Sequence, residues 1–174
     1  QAWYRPYEPD SAQDRALLLT FARDLYKNAY GSTELLDEAA WLADTDHMVA
    51  KCPRAVTIGM VKEEPVALVR MNVCDESEPE VGMVGSFVLR DDYRGTGMSG
   101  QILGQAISVY RSLGKSYLCA HVAKNNVRAQ GFYQKYGFVN HGEVEKPEGI
   151  HYKMMKKIKV ETLAEEKDDF IIED

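Results

Sequence analysis

The chain has 174 residues, 45% apolar, 10% aromatic and 28% charged, a composition that fills one globular domain and excludes two ordinary domains, a fully disordered chain and a low-complexity fibre. Its formal charge of −6 is uneven: seven acids against two lysines from Lys159 to Asp174 account for −5, so the body is near neutral and nucleic-acid binding has no basic stripe to rest on. Cys52, Cys74 and Cys119 form no C-x-x-C pair, which argues against a disulfide framework or thiolate zinc site and for a reducing, cytoplasmic compartment. No apolar run approaches the roughly 18 residues of a membrane span, and no basic-then-apolar export signal opens the chain.

Trp3 to Tyr7 reads as a strand, and Pro9-Asp10-Ser11 opens a helix with Leu18, Phe21, Ala22 and Leu25 on one face. Leu35, Leu36, Ala39, Ala40 and Ala43 predict a second helix over about 33–44, with Tyr26 to Met48 forming a lid that carries Tyr30 and Trp41. Ala55 to Val61 and Val66 to Val73 read as a hairpin around Glu63-Glu64-Pro65, and an acidic loop, Asp75 to Glu80, leads to a strand from Met83 to Leu89.

After Arg90 to Arg94 comes a Gly-rich stretch and a long helix with Met98, Ile102, Leu103, Ala106, Tyr110 and Leu113 on its apolar face, stopped by Gly114. A strand at Tyr117–Ala123, a helix from Asn126 stopped by Gly137, and strands at Phe138–Glu143 and Ile150–Lys156 complete a domain over residues 1–158. Residues 159–174 read as a flexible acidic tail whose Phe170-Ile171-Ile172 could dock on a neighbour, a second copy included.

Gly95-Thr96-Gly97-Met98-Ser99-Gly100 fits G-x-G-x-x-G, the dinucleotide fingerprint, but not its context. A dinucleotide fold needs the first glycine directly after a strand and an acid about 20 residues on. Here Arg90 to Arg94 intervene, and Leu113 to Asn126 contains no Asp or Glu. What remains is physical: small residues before a helix let backbone N–H groups converge on an anion, with Arg94 beside them as a cation. A turn that merely starts a helix is the plain alternative.

A second segment, Asn126-Val127-Arg128-Ala129-Gln130-Gly131-Phe132-Tyr133-Gln134-Lys135-Tyr136-Gly137-Phe138, has the form N-x-x-A-x-x-F-Y-x-K-x-G-F. Together the two segments resemble the GNAT superfamily of acyl-CoA-dependent N-acyltransferases. Its pyrophosphate loop, Arg/Gln-x-x-Gly-x-Gly/Ala, is matched by Arg94, Gly97 and Ser99, with Ser99 standing where Gly or Ala is usual. The element order agrees from Trp3 to Lys157, and the specific match runs over about 87–138.

The resemblance implies a single α/β domain: a mixed sheet of about seven strands, splayed between the fourth and fifth, with about four helices on both faces. It also implies acetyl transfer from acetyl-CoA to a primary amine, of a small molecule or of a peptide or protein, by direct attack in a ternary complex. The alternative is a non-catalytic acyl-CoA-binding or regulatory module. The backbone of Phe87, Val88 and Leu89 and the side chain of Asn126 would meet the pantetheine, and Gly95 to Gly100 the pyrophosphate.

Tyr133 lies seven residues after Asn126, about two turns along the same helix face. A phenol there can protonate the departing thiolate, although an isolated tyrosine is more often a core aromatic. His121, twelve residues before Tyr133, is a candidate base because a neutral imidazole accepts a proton near physiological pH. It lies where ribosomal-protein N-terminal acetyltransferases of the superfamily carry a glutamate base. A core histidine, Glu80 or another acid of the 75–80 loop, or a water chain are its rivals. Cys119 would share a strand face with His121, but direct transfer needs no enzyme nucleophile. His47, His141 and His151 show no metal-ligand spacing, so no metal is expected.

Overall fold

The computed structural model describes residues 2–160. Most of the acidic tail, with Phe170-Ile171-Ile172, lies outside the described residues. The chain runs through β1 (Ala2–Pro6), α1 (Ala12–Tyr30), α2 (Glu38–Lys51), β2 (Val56–Val61), β3 (Glu64–Met71) and β4 (Val81–Leu89). It continues through α3 (Met98–Ser112), β5 (Tyr117–Ala123), α4 (Val127–Lys135), β6 (Val139–Lys146) and β7 (Gly149–Lys157). One seven-stranded sheet has the order β1-β2-β3-β4-β5-β7-β6. Every neighbouring pair is antiparallel except β4–β5, which is parallel.

Local chemistry fixes the helix ends. Ser11 caps α1 by accepting from the Asp14 N–H, and Gly31, at φ 81°, closes it with a bond to the Lys27 carbonyl. The buried Asp14 carboxylate accepts two 2.8 Å bonds from Arg5 of β1 and a third from the Glu8 N–H, pinning the helix start to the sheet edge. Asp37 caps α2 by accepting from the Ala40 N–H. The second helix therefore runs over Glu38–Lys51 and not the expected 33–44: the apolar pair Leu35 and Leu36 lies in the link before the cap. The expected lid is also revised, since Tyr26, Trp41 and Met48 are core residues of α1 and α2. Only the link between those helices is largely exposed.

Cross-strand partners share a sheet face, and alternate residues of one strand do too. Gly82 of β4 lies under the Tyr110 ring of α3, whose hydroxyl donates to the Met83 carbonyl at 2.5 Å. Gly82 is paired with Leu118 and Val84 with Ala120, so α3 covers the face carrying Leu118, Ala120 and Val122. Cys119, His121 and Ala123 occupy the other face, with their β7 partners Met155, Lys153 and His151. The contact of Tyr30 with His151 places α1 on that second face. The bonds from Arg70 of β3 to the Trp41 carbonyl and Thr45 hydroxyl place α2 there as well. Helices thus cover both faces of the sheet.

Candidate active site

The parallel seam between β4 and β5 holds register only from Val81–Tyr117 to Val84–Ala120. Beyond it the strands part. Phe87, Val88 and Leu89 continue their pairing with Val69, Leu68 and Ala67 of β3, while His121, Val122 and Ala123 continue theirs with β7. A register shift in the β3–β4 ladder between Arg70 and Met71 falls where the strands separate and bends β4 away. The result is a wedge-shaped slot. Phe87 stacks on Phe132 of α4, ring centroids 5.4 Å apart, while Val88 and Leu89 are buried.

At the far end of β4 the chain makes a short 3-10 turn over Asp91–Tyr93 and enters the Gly-rich segment. Thr96 fastens the turn by donating to the Tyr93 carbonyl at 2.5 Å. Arg94 is held by Asp91 at 2.5 Å, its side chain still partly exposed. Gly95 and Gly97 have φ of 77° and 87°, left-handed values that suit glycine. Gly97 is the N-cap of α3 and no side chain caps the helix. The N–H groups of the first turn, from Met98 through Ser99 and Gly100, therefore face outward without an intrahelical acceptor, next to the positive end of the helix dipole. Buried Met98 anchors the turn in the core.

α3 and α4 approach closely across the slot: a Cβ on Gly100 would lie 2.7 Å from the Tyr136 hydroxyl. Asn126 caps α4, its side-chain oxygen accepting from the Ala129 N–H at 3.1 Å, which leaves its amide N–H₂ available. Tyr133 is 8% exposed, edge-on to Phe132 and Phe138 at 5.2 and 5.0 Å. Burial, then the proximity of Cys119, pushes its phenol above the usual range, so it stays protonated and can donate.

His121 is partly exposed on the α1/α2 face. Burial, then the neighbouring Lys146, His151 and Lys153, pulls its ring down to about 4, against a smaller upward effect of Asp75. The neutral imidazole therefore prevails throughout the physiological range. The acidic loop lies over the same face: Glu78 pairs with Lys153 at 2.8 Å, and the Asp75 carboxyl is lowered chiefly by its bonds with Ser77. Glu80 is not brought into the slot. Its carbonyl accepts from the N–H groups of Ser116 and Tyr117, at the opposite end of β5. Cys119 is fully buried and its thiol is raised to about 11, chiefly by burial, which leaves no thiolate for nucleophilic chemistry near neutrality.

Sequence reasoning placed Tyr30 in a lid but missed the other residues that wall the cleft on the α1 side. An open cleft of about 440 Å³ is lined by Tyr30, Ala123, Asn125, Glu148 and Ile150, among others. Tyr30 Oη lies 2.8 Å from His151 Nε2, and His151 Nδ1 lies 2.9 Å from the Gly149 carbonyl. A carbonyl only accepts, so in the neutral ring Nδ1 carries the proton and the Tyr30 hydroxyl donates to Nε2. The two residues stand 121 positions apart; the β6–β7 hairpin brings them together, and no local pattern announces it. Among the described residues no group of three or more His, Cys, Asp or Glu side chains could hold a metal ion, and no helix is long and apolar enough to cross a membrane.

No curated protein matches the chain in sequence. Among solved structures it is similar to Ard1 from Thermoplasma volcanium, with 17% identity and a TM-score of 0.70 over 91% of this chain and 99% of that one. It is also similar to yncA, a putative acetyltransferase from Salmonella typhimurium solved with its cofactor acetyl-CoA: 13% identity and a TM-score of 0.70, over 93% and 96% of the two chains. The aminoglycoside acetyltransferase AAC(6')-Ib, solved with coenzyme A, aligns at 19% identity and a TM-score of 0.67, over 90% and 95%. At these identities the likeness is one of fold. The family profile goes further, since the acetyltransferase (GNAT) family matches residues 17–138, which include the parted strands, the uncapped helix start and Tyr133: the chain belongs to the GNAT family of acetyltransferases.

Proposed function

We propose that the protein moves an acetyl group from acetyl-CoA to a primary amine by direct attack within a ternary complex. The observation that carries this reading is the parting of β4 and β5 after Val84–Ala120, beside a helix start without a side-chain cap. Extended backbone freed from one ladder suits the amides of a pantetheine arm, and outward N–H groups at a helix N-terminus suit a diphosphate. Solved relatives with acetyl-CoA or coenzyme A bound support the same choice of co-substrate. Phe87, Val88 and Leu89 line the arm, Gly95 to Gly100 with Arg94 hold the phosphates, and Asn126 offers its free amide N–H₂.

Tyr133 serves as the acid. When the amine attacks the thioester carbonyl, the C–S bond breaks and the thiolate takes the phenolic proton. His121 serves on the acceptor side. A ring with a pKa near 4 accepts protons only in passing, so it hands the ammonium proton on to water and does not store it. Holding amine and thioester together contributes most of the acceleration. Free thiols at Cys52, Cys74 and Cys119 support a reducing compartment.

The test is release of coenzyme A from acetyl-CoA in the presence of a panel of primary amines. Turnover that collapses in Tyr133→Phe is expected. Tight acetyl-CoA binding with no turnover on any amine would make the protein a binding module.

A further inference from the structure

The cleft of about 440 Å³ beside the slot exceeds what a short amine fills; pockets of roughly 300 to 1,000 Å³ enclose ligands of drug size. It also shares an element with the slot. β5 loses its β4 partner after Ala120, and Ala123, its last residue, lies on the cleft wall. A ligand in the cleft therefore meets the same strand whose freed edge borders the slot.

The charges of the wall are already used. Lys124 is tied to Glu143 at 2.7 Å. Lys27 stands in the last turn of α1, where a cation complements the helix C-terminus. Glu148 Oε1 accepts a long bond, 3.4 Å, from the Tyr26 hydroxyl, and Oε2 is buried, so no ligand in the cleft reaches it. On the His121 side, the neighbouring Lys146 disfavours an acceptor that carries a second cation.

What the wall offers is apolar and amide chemistry. Leu35, in the link before α2, and Ile150, near the start of β7, both line the cleft and are 55% and 42% exposed. Large apolar side chains left to water on one cleft gain by being covered. Asn28 and Asn125 are exposed on the same cleft, and each amide both donates and accepts. The Tyr30 hydroxyl commits its proton to His151, so its lone pairs are what it offers to an N–H. Apolar contacts beside paired donors and acceptors match a polypeptide, whose main chain carries an N–H and a C=O at each residue and whose side chains supply apolar surface.

We propose that the acceptor is the amino terminus of a polypeptide with bulky apolar side chains among its second to fourth residues: the α-amine enters the slot, and the residues behind it lie in the cleft against Leu35 and Ile150. Three residues of extended chain, about 3.3 Å each, follow β5 from Ala120, where the slot opens, to Ala123 on the cleft wall. The inference rests on the acetyl-transfer reading and adds to it the substrate class. The covalent step is unchanged: the α-amine nitrogen bonds the acetyl carbon, the C–S bond breaks, and the thiolate takes the Tyr133 proton.

The test uses the full chain with saturating acetyl-CoA and compares kcat/KM for Gly-Leu-Leu-Leu amide with Gly-Ser-Ser-Ser amide, glycinamide and n-hexylamine. The leucine peptide is expected to lead each of the others by about 10- to 100-fold, the range for moving an apolar side chain from water into a pocket. The preference should lie mainly in KM and hold as salt is added, since no ion pair carries it. Leu35→Ser and Ile150→Ser combined, both at exposed positions, should remove most of that lead. Equal kcat/KM for the two peptides, or a lead that survives the double variant, overturns the proposal. So does n-hexylamine matching the leucine peptide, which would make the cleft a site for alkylamines. The wild-type ratios decide it even where the variant fails to fold.

Binding is measured separately by titrating the leucine peptide into the protein loaded with coenzyme A. Heat in the wild type that is lost in the double variant supports the site, and no heat at millimolar peptide overturns it. Peptide binding without acetylation of any amine would defeat the transfer reading and leave the cleft site standing. Turnover of glycinamide and n-hexylamine, without peptide heat, would do the reverse.

Discussion

β4 borders two seams, and they are built to opposite ends. Toward β3 its pairing runs on through Leu89, opposite Ala67; toward β5 it stops at Val84. On the closed part of the β4–β5 seam the contact is so tight that Gly82 has only the Tyr110 ring above it. On the open part, the chain's own ladder gives way to space for a ligand. One strand therefore holds the sheet together and offers an edge for binding, because unpaired backbone groups persist only where another partner satisfies them.

The sharpest way to break this comparison is at the open seam. Tyr133→Phe is expected to lower kcat by about 10²- to 10⁴-fold, the usual range for a positioned acid, with acetyl-CoA affinity unchanged by calorimetry; the ring and its packing on Phe132 and Phe138 are kept. Full activity in that variant would remove the phenol from the chemistry.

At the closed seam the expected loss is of stability. In Gly82→Ala the new methyl would lie 2.4 to 2.8 Å from the Tyr110 ring, and overpacking of this kind costs about 1–3 kcal/mol, read as a lower denaturation midpoint. Tyr110→Phe, which loses the bond to the Met83 carbonyl, should cost about 1 kcal/mol. Gly97→Ala distinguishes the two seams again. A Cβ there meets nothing within 4 Å, but the left-handed φ is strained by about 1 kcal/mol. The expected result is an acetyl-CoA KM raised several-fold with little change in kcat.

The effect that shows only away from neutral pH is a stability slope. His121 is held near 4 in the fold against about 6.5 in an unfolded chain. Between those values the unfolded state binds the extra proton, so stability is complete above pH 6.5 and declines as pH falls toward 4. His121→Asn should flatten that decline in urea midpoints measured across the range. An unchanged slope would mean that the ring is not held neutral by its surroundings.

The open seam was the more legible part of the molecule, because short-range chemistry writes it. Gly95 and Gly97 take the backbone values that favour glycine, and Asn126 announces a helix start that the structure confirms as a cap. The alternation that put Cys119 and His121 on one face holds in the register with β7. The start of α2 was misread because Leu35 and Leu36 repeat like helix residues while Asp37 supplies the cap.

The cleft wall on the α1 side was legible only in part: Tyr30 falls within the expected lid, Glu148 does not. Glu148 and Tyr30 come from opposite ends of the chain, and nothing beside Glu148 in the sequence marks an oxygen that the fold will bury. Arg70 is similar: 6% exposed, stacked over Trp41 at 3.6 Å and lowered to about 10, mainly by burial, it reads in sequence as an ordinary strand arginine.

The near-touch of Gly100 and Tyr136 has a kinetic consequence. With the start of one flanking helix resting on the end of the other, those helices cannot swing apart as jaws, and the coenzyme meets a ready-made socket. Capture should then be a single second-order event whose observed rate climbs linearly with coenzyme concentration in stopped flow, without the plateau that a slow rearrangement would impose.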